Sequence, residues 1–211
     1  MIEEIKNFST NLGEARYQGK RLTCLAFASS DLNQYANDVA APLSVEYLCH
    51  HAVKHLQNWS PGQGLHVHAA LKALAAPGQP EESLYPYQAD NHATPLVAPA
   101  STSPLYTTNC TKRALTPAQI EGLILAEKAV CVVVFLSATF DAPTNGVVDY
   151  SPLYYPDRVH ALVAVGIGSH KVTGETHILI RNSWGDAWGI RGHAWLPMRY
   201  LTFFLLDSFA L

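Results

Sequence analysis

The sequence has few cysteines and lacks a long apolar run. Four cysteines, at positions 24, 49, 110 and 131, stand in a chain of 211 residues, too few and too scattered for a disulfide framework. No apolar stretch reaches the ~20 residues that a membrane-spanning helix needs, and the acidic, mixed residues 1–6 are not typical of a secretory signal. We therefore expect reduced thiols, no membrane partner, and a cytoplasmic location or delivery elsewhere by a non-classical route.

Charged residues are also sparse and form no cluster of one sign. They make up 15% of the chain, with 14 Lys and Arg against 17 Asp and Glu, for a formal net charge of −3. A nucleic-acid-binding protein would show a basic patch, so we expect no nucleic-acid partner. The hydrophobic content of 48% is instead typical of a folded globular protein, and the length suffices for one domain or two half-domains that share a cleft.

The first half of the chain is predicted to be mainly helical. Residues 1–17 are expected to pack against the body as a lead-in. Apolar residues then recur at helical spacing from residue 24 to about 37, which predicts a largely buried helix. Ser44 is a natural N-cap for a second helix that extends to about residue 59, and a third helix is predicted for residues 65–76.

The second half is predicted to be mainly strand. A stretch rich in Pro, Ser, Thr and Ala at residues 78–113 predicts a long irregular connection. Thr116, Pro117 and Gln119 then form the pattern of a capping box at the start of a helix. Strands are predicted for residues 130–136, 159–167, 176–180 and 193–196. Helices followed by strands favour an α+β fold with two unlike lobes.

Residues 18–28, Gln-Gly-Lys-Arg-Leu-Thr-Cys-Leu-Ala-Phe-Ala, place a thiol where a helix begins. A helix N-terminus carries partial positive charge and unpaired N–H groups, which favour a thiolate over a thiol. Cys24 there can have a pKa well below the free value of about 8.5, and the thiolate is the nucleophilic form. The stretch therefore predicts the nucleophile segment of a cysteine-dependent enzyme, provided that a base lies nearby.

His160 is the best-placed candidate for that base. It precedes the apolar segment 161–166, which predicts a strand, and after a turn the chain returns as a second strand ending at Asn182. A hairpin of this kind brings Asn182 back beside His160. The Asn182 oxygen can accept from one imidazole N–H and hold the other nitrogen toward Cys24. The indole of Trp184 can shield this hydrogen bond from water.

Each of these residues also has a simpler structural interpretation. A lone cysteine at a helix start is more often a buried small residue than a nucleophile, and a lone histidine at a strand edge is usually structural. His51 and His55 could bind a metal on one helix face. No carboxylate or cysteine ligand set accompanies them, so we expect neither a metal nor another cofactor.

Several segments together resemble the papain family of cysteine peptidases. They are Gln18-Gly19 with residues 23–28, the histidine segment 160–166 and the asparagine segment 182–189, with weaker similarity at residues 43–48 and 62–64. They occur in the family's order and span about residues 12–196. The resemblance implies one catalytic domain over residues 1–211, with a helical lobe at about 18–113, a β-barrel-like lobe at about 114–211 and an active-site cleft between them.

The resemblance also implies a role for each site residue. Cys24 is the nucleophile, His160 is its proton-transfer partner, and Asn182 orients His160. The Gln18 side chain and the Cys24 backbone N–H form the oxyanion hole. Substrate is expected to contact the Gly-rich turn, a side-chain pocket and the leaving-group side through Gly62, Gln63, Gly64, Ala161, Trp184 and Trp188.

The sequence departs from the family pattern near the nucleophile and at its start. Leu22 and Arg21 stand where the family usually has a disulfide cysteine, and Leu25 stands where a tryptophan is common. About 17 residues precede Gln18, so the usual inhibitory pro-segment is missing from this sequence, as in a bacterial-type member without disulfides. We expect control from elsewhere or a longer initial product.

The predicted function is a cysteine endopeptidase that cleaves peptide or protein substrates through a Cys24–His160 pair and an acyl-enzyme intermediate. One alternative uses the same pair to transfer an acyl group to an amine, or to act on a single target protein. Another is a catalytically silent peptide-binding module. The presence of Gln18 and Asn182 beside that pair disfavours the silent module, because a degenerate site would be free to lose any of the four residues.

Overall fold

A computed structural model describes residues 1–90 and 103–211 of the chain. Helices occupy most of residues 24–75, and strands occupy most of residues 130–210. This arrangement confirms the predicted α+β class. The middle of the irregular connection predicted for residues 78–113 lies outside the described residues, and a short 3-10 helix at Glu82–Leu84 precedes it.

The helical part of the chain is arranged around its first helix. Its helices are α1 (Cys24–Ala36), α2 (Val45–Ala52) and α3 (Val67–Ala75). Leu25 and Leu32 of α1 pack in the core that the helix shares with the sheet, whereas Phe27 packs in a second core with α2 and α3. The helix is therefore buried on two sides, and its first residue, Cys24, packs against the core shared with the sheet.

The helix starts follow the prediction more closely than the helix ends. Ser44 caps α2, and its hydroxyl accepts a hydrogen bond from the Tyr47 backbone N–H at 3.0 Å. The expected extension of α2 to residue 59 is wrong, because α2 ends at Ala52 and a 3-10 turn follows at Val53–His55. None of residues 53–59 is fully buried, so no packing supports a longer helix.

The second part of the chain is built around an antiparallel sheet. Its strands are β1 (Ile2–Asn7), β2 (Lys112–Arg113), β3 (Val130–Ser137), β4 (Tyr154–His170), β5 (Thr176–Arg181), β6 (His193–Pro197) and β7 (Leu205–Ala210). The strand order is β2-β7-β3-β4-β5-β6, and β1 pairs with β4. Since β4 pairs with β1, β3 and β5, it is a rigid support for His160.

The N-terminal lead-in joins this sheet as β1. Lys6 lies opposite Ile167 on β4. Two glycines of β4 permit the close approach: a Cβ at Gly166 would lie 2.6 Å from the Lys6 carbonyl oxygen, and one at Gly168 would lie 2.6 Å from the Glu3 carbonyl oxygen. The first residues of the chain therefore extend the support of the strand that carries His160.

Two helices in the second part pack on the sheet, α4 (Pro117–Leu125) and α5 (Met198–Phe204). The start of α4 confirms the predicted capping box: the Gln119 N–H donates to Thr116 Oγ1 at 3.3 Å, and the Thr116 N–H donates to the Gln119 side-chain oxygen at 2.9 Å. In the part of the chain that the structure describes, no helix combines the length and apolarity needed to cross a membrane. A lobe boundary near residue 113 stays a prediction.

Candidate active site

A cleft of about 480 Å³ lies between the start of α1 and the first half of β4. The residues that line it include Gln18, Cys24, His160, Ala161 and Trp184. They come from three distant stretches of the chain, which the packing of α1 against β4 brings together. The cleft therefore collects the nucleophile, the base and the oxyanion donor that the sequence predicts.

Cys24 lies at the N-terminus of α1, half-buried at the cleft surface. Burial raises the pKa of its thiol, whereas hydrogen bonds with the backbone of Ala161, Leu25 and Cys24 itself act in the opposite direction. The contact with Ala161 joins Cys24 to β4, and Ala161 follows His160 directly. The sulfur therefore lies beside the strand position that carries the imidazole.

His160 is held by Asn182 as the hairpin prediction expects. Its Nε2 donates to Asn182 Oδ1 at 2.7 Å, and the same oxygen accepts the Ser183 backbone N–H at 2.8 Å. This bond leaves Nδ1 of the imidazole free for Cys24. The ring of Trp184 lies over the imidazole, with the two centroids 4.8 Å apart, so it covers the hydrogen bond from solvent.

The protonation state of this pair depends on burial. Burial lowers the pKa of His160 to about 4, although the hydrogen bond to Asn182 raises it. Burial also raises the pKa of Cys24, so neither side chain is charged easily on its own. Transfer of a proton from the thiol to the imidazole charges both at once, and each ion then stabilises the other. For the catalytic roles that the sequence predicts, the two groups would have to ionise as a pair.

Gln18 is fixed on all sides and is only 6% exposed. Its Oε1 accepts a hydrogen bond from Ser183 Oγ at 2.6 Å, and its Nε2 donates to the Arg21 carbonyl at 2.8 Å. These two contacts set the orientation of the amide. Since an amide nitrogen carries two hydrogens, one remains for a substrate oxygen in the cleft.

A buried ion network connects the chain segments that carry these groups. The carboxylate of Asp31, on α1, accepts from Arg16 Nη2 at 2.7 Å and from Arg181 Nε at 2.8 Å. Burial alone would raise the pKa of Asp31, but the two guanidinium groups bring it below its ordinary value. Arg16 lies two residues before Gln18, and Arg181 lies directly before Asn182. The ion network therefore connects the segments of Gln18 and Asn182 to α1, the helix that begins with Cys24.

The predicted substrate-contacting residues fall into three groups. Gly64, Ala161 and Trp184 line the cleft. Gly62 and Gln63 instead line a neighbouring depression of about 980 Å³, which shares Gly64 with the cleft. Trp188 lies behind Trp184: it is 7% exposed, and its Nε1 donates to the Phe140 carbonyl at 3.2 Å.

Phe140 is a residue of this site that the sequence prediction missed. Its ring is fully buried and lies 5.6 Å from Trp184, 5.3 Å from Trp188 and 6.1 Å from His160, measured between centroids. It therefore supports the indole that covers the base. No local pattern around residue 140 indicates this role, because all of its partners are distant in the sequence.

The histidines at positions 51 and 55 show no convergent ligand set. Within residues 1–90 and 103–211, no group of at least three His, Cys, Asp or Glu side chains is arranged to hold a metal ion. The His51 ring instead packs on Tyr47, with centroids 4.5 Å apart. Burial lowers its pKa to about 4, which is consistent with a packing role.

The chain is similar to known proteins of one family. The family described as "Papain family cysteine protease" matches residues 5–200. Cathepsin K of Mus musculus is 36% identical over 77 residues, a region that covers 33% of this chain and only 23% of the mouse protein.

Solved structures of cysteine proteases share the fold. Digestive procathepsin L 3 of Tenebrio molitor aligns with a TM-score of 0.75 at 18% identity, over 97% of this chain and 68% of that chain. Xylellain, a cysteine protease from Xylella fastidiosa, aligns with a TM-score of 0.73 at 17% identity, over 99% of this chain and 90% of that chain. With the family match extending over nearly the whole sequence, the chain belongs to the papain family of cysteine proteases.

Proposed function

We propose that this chain is a cysteine endopeptidase that hydrolyses peptide bonds in peptide or protein substrates. The observation that carries the proposal is the convergence of Gln18, Cys24 and His160 on one cleft, with His160 oriented by Asn182 at 2.7 Å. A nucleophile, a base and an orienting group in hydrogen-bonded order are what thiol-dependent acyl transfer requires.

In the proposed reaction, the Cys24 thiolate attacks the peptide carbonyl carbon. The resulting oxyanion accepts hydrogen bonds from Gln18 Nε2 and from the Cys24 backbone N–H, which has no intrahelical partner at the start of α1. A donor that meets charge present only in the transition state contributes roughly 3 kcal/mol. The His160 imidazolium then protonates the leaving amine, and a thioester remains on Cys24.

Hydrolysis of the thioester completes the cycle. The neutral imidazole of His160 takes a proton from water, which attacks the thioester carbonyl carbon. The same oxyanion donors stabilise the second tetrahedral intermediate. The carbon–sulfur bond then breaks, and the Cys24 thiolate takes back the proton from the His160 imidazolium. The acid product loses its own proton to solvent and leaves as the carboxylate.

An extended substrate fits the shape of the site. The cleft and the neighbouring depression share Leu22, Gly64 and Leu65, so the groove continues past the Gly-rich turn. Such a turn presents backbone groups to which an extended peptide can bind as an added strand. A substrate chain that continues beyond the cleft favours internal cleavage.

Replacement of Cys24 by alanine tests the proposal. We expect Cys24→Ala to abolish cleavage of a peptide library and labelling by a thiol-directed epoxide, while the circular dichroism spectrum is unchanged. Cys110→Ala is a matched control, because Cys110 is also a half-buried free thiol and lies outside the cleft lining.

The products decide between the possible outcomes. Peptides with free carboxylates, released by the unsubstituted protein and by Cys110→Ala alone, support hydrolysis. Cleavage by Cys24→Ala would contradict the assignment of the nucleophile. Products joined to added amines, without hydrolysis, would assign the site to acyl transfer instead.

We also propose a cytoplasmic location. All four cysteines, each of them within the described residues, are free thiols, which a reducing compartment favours. Fractionation of the source cells followed by immunodetection tests this location. Recovery of the protein from the medium alone would contradict it.

A further inference from the structure

The oxyanion loop, which we define as residues 18–23, connects the predicted oxyanion donor Gln18 to the nucleophile helix. The four cysteines of the chain are free thiols, so noncovalent contacts hold this loop. Its shape matters for catalysis, because the Gln18 amide hydrogen must meet an oxygen whose position Cys24 sets. The residues that hold the loop in place therefore determine the orientation of the Gln18 amide.

Arg21 anchors the centre of the oxyanion loop through a buried ion pair. Its guanidinium binds both carboxylate oxygens of Glu46 on α2, with Nη2 at 3.1 Å from Oε1, and the two side chains are 8% and 6% exposed. The guanidinium also lies over the ring of Tyr87, 4.7 Å from its centroid. The carbonyl of the same Arg21 accepts the hydrogen bond of Gln18 Nε2 at 2.8 Å, so the ion pair fixes the group that aims the donor.

Tyr87 holds both ends of the oxyanion loop with one hydroxyl. It donates to the Gln18 carbonyl at 2.9 Å and accepts from Thr23 Oγ1 at 2.6 Å. Burial raises the pKa of Tyr87 to about 12, so the hydroxyl keeps its proton at working pH. Thr23 is the N-cap residue of α1, and its side chain makes no capping hydrogen bond. The hydroxyl of Thr23 thus leaves the first N–H groups of α1 available to the cleft.

We propose that Glu46 and Tyr87 are positioning residues for the oxyanion hole: the Arg21–Glu46 ion pair and the Tyr87 hydroxyl hold the oxyanion loop so that Gln18 meets the developing charge. The inference rests on the proposed peptidase function. Neither Glu46 nor Tyr87 lines the cleft, so both act through Gln18 rather than on the substrate.

Two reactions of the Cys24 thiol should respond differently to a disturbed oxyanion hole. Peptide hydrolysis passes through an oxyanion, whereas alkylation of Cys24 by iodoacetamide displaces iodide and forms none. We expect Glu46→Gln and Tyr87→Phe to lower kcat by roughly 10- to 100-fold, the range of a donor displaced or lost, with KM within about twofold. The rate of iodoacetamide alkylation, compared at equal pH, should stay within about twofold.

A second set of variants asks whether the effect passes through Gln18. In a Gln18→Ala background, Glu46→Gln and Tyr87→Phe should have no further effect on kcat, because the side-chain amide that Glu46 and Tyr87 position is absent. Tyr35→Phe and Glu127→Gln are matched controls, since the Tyr35 hydroxyl donates to the Glu127 carbonyl and the Glu127 side chain pairs with Lys6 away from the cleft.

Each outcome bears on one of the two proposals. Full activity of Tyr87→Phe, or equal losses in kcat and in alkylation rate, would overturn the positioning role. Losses that persist in the Gln18→Ala background would overturn it as well. Tyr87→Phe decides alone if Glu46→Gln does not fold, because it removes only a hydroxyl and leaves the ion pair. If the unsubstituted protein is alkylated at Cys24 but cleaves no peptide, the peptidase proposal itself fails, and this inference fails with it.

Discussion

Replacement of Asn182 by alanine tests how tightly the imidazole of His160 must be held. Both side chains are buried, at 2% and 4% exposed, and the hydrogen bond between them is 2.7 Å long. A hydrogen bond to a charged partner contributes about 1.5–3 kcal/mol. That range applies here, because His160 becomes an imidazolium when Cys24 becomes a thiolate.

The size of the effect follows from these values. A loss of about 1.5–3 kcal/mol from the ionised pair corresponds to turnover that is roughly 10- to 150-fold slower. The hydrogen bond to Asn182 raises the pKa of His160, so its removal lowers that pKa. The imidazolium then loses its proton at lower pH, and the alkaline limb of activity should move down by about 1–2 pH units.

Two assays measure these quantities. Peptide hydrolysis from pH 4 to about 10 gives turnover and the alkaline limb, and alkylation of Cys24 by iodoacetamide over the same range gives the thiolate population. Asn7→Ala is a suitable control, because Asn7 is an exposed asparagine at the end of β1. An unchanged alkaline limb together with turnover within twofold of the unsubstituted protein would remove Asn182 from the mechanism.

Two further substitutions test the stability of the fold. Asp31→Asn should lower the free energy of unfolding by about 3–5 kcal/mol in urea titrations, because two buried guanidinium groups lose their partner, whereas Asp141→Asn, at an exposed ion pair, should cost less than about 1 kcal/mol. The folded-state pKa of Asp31 lies below its ordinary value. The stability that its carboxylate contributes is therefore present above about pH 4 and is lost as pH falls through the folded pKa. Thermal melts that lose no stability in acid would contradict this pH dependence. Thr116→Ala should lower the free energy of unfolding by about 1 kcal/mol through loss of the α4 cap, and unchanged urea unfolding would show that the cap contributes nothing.

The elements that the sequence predicts well are those with local causes. The start of α4 depends on Thr116 and Gln119, which are three residues apart and bind each other. The end of α2 depends instead on which later residues find packing partners, and no pattern within residues 53–59 shows that they find few. Tertiary burial therefore decided the boundary that helical propensity left open.

Two of the strands that the sequence did not predict, β1 and β7, have causes outside their own residues. β1 has a mostly exposed, charged sequence, and it forms because Gly166 and Gly168 on β4 let its backbone approach. β7 follows α5 directly in a mostly apolar stretch, residues 200–210, where periodicity does not separate helix from strand. Both strands are recognisable only from the strand that they pair with.

In the candidate site, too, some residues are recognisable from their local sequence and others only from the fold. Gln18, Cys24, His160 and Asn182 stand in segments with distinctive neighbours, so they could be predicted together. The residues that support them are joined by pairs far apart in the sequence, such as Arg21 with Glu46 and Tyr87 with Gln18. A single sequence carries no signal for such pairs, and the fold is needed to find them.

Catalysis and stability both depend on how α1 packs against the sheet. The helix belongs to both hydrophobic cores, and Asp31 binds one arginine from the segment before the oxyanion loop and another from the end of β5. A shift of α1 relative to the sheet would stretch both ion pairs and separate Cys24 from His160 at the same time. We therefore expect Asp31→Asn to slow turnover as well as to lower stability. Thr116→Ala acts on α4, away from this contact, and should lower stability alone; equal turnover in the two variants would show that the ion network supports the fold without aligning the catalytic pair.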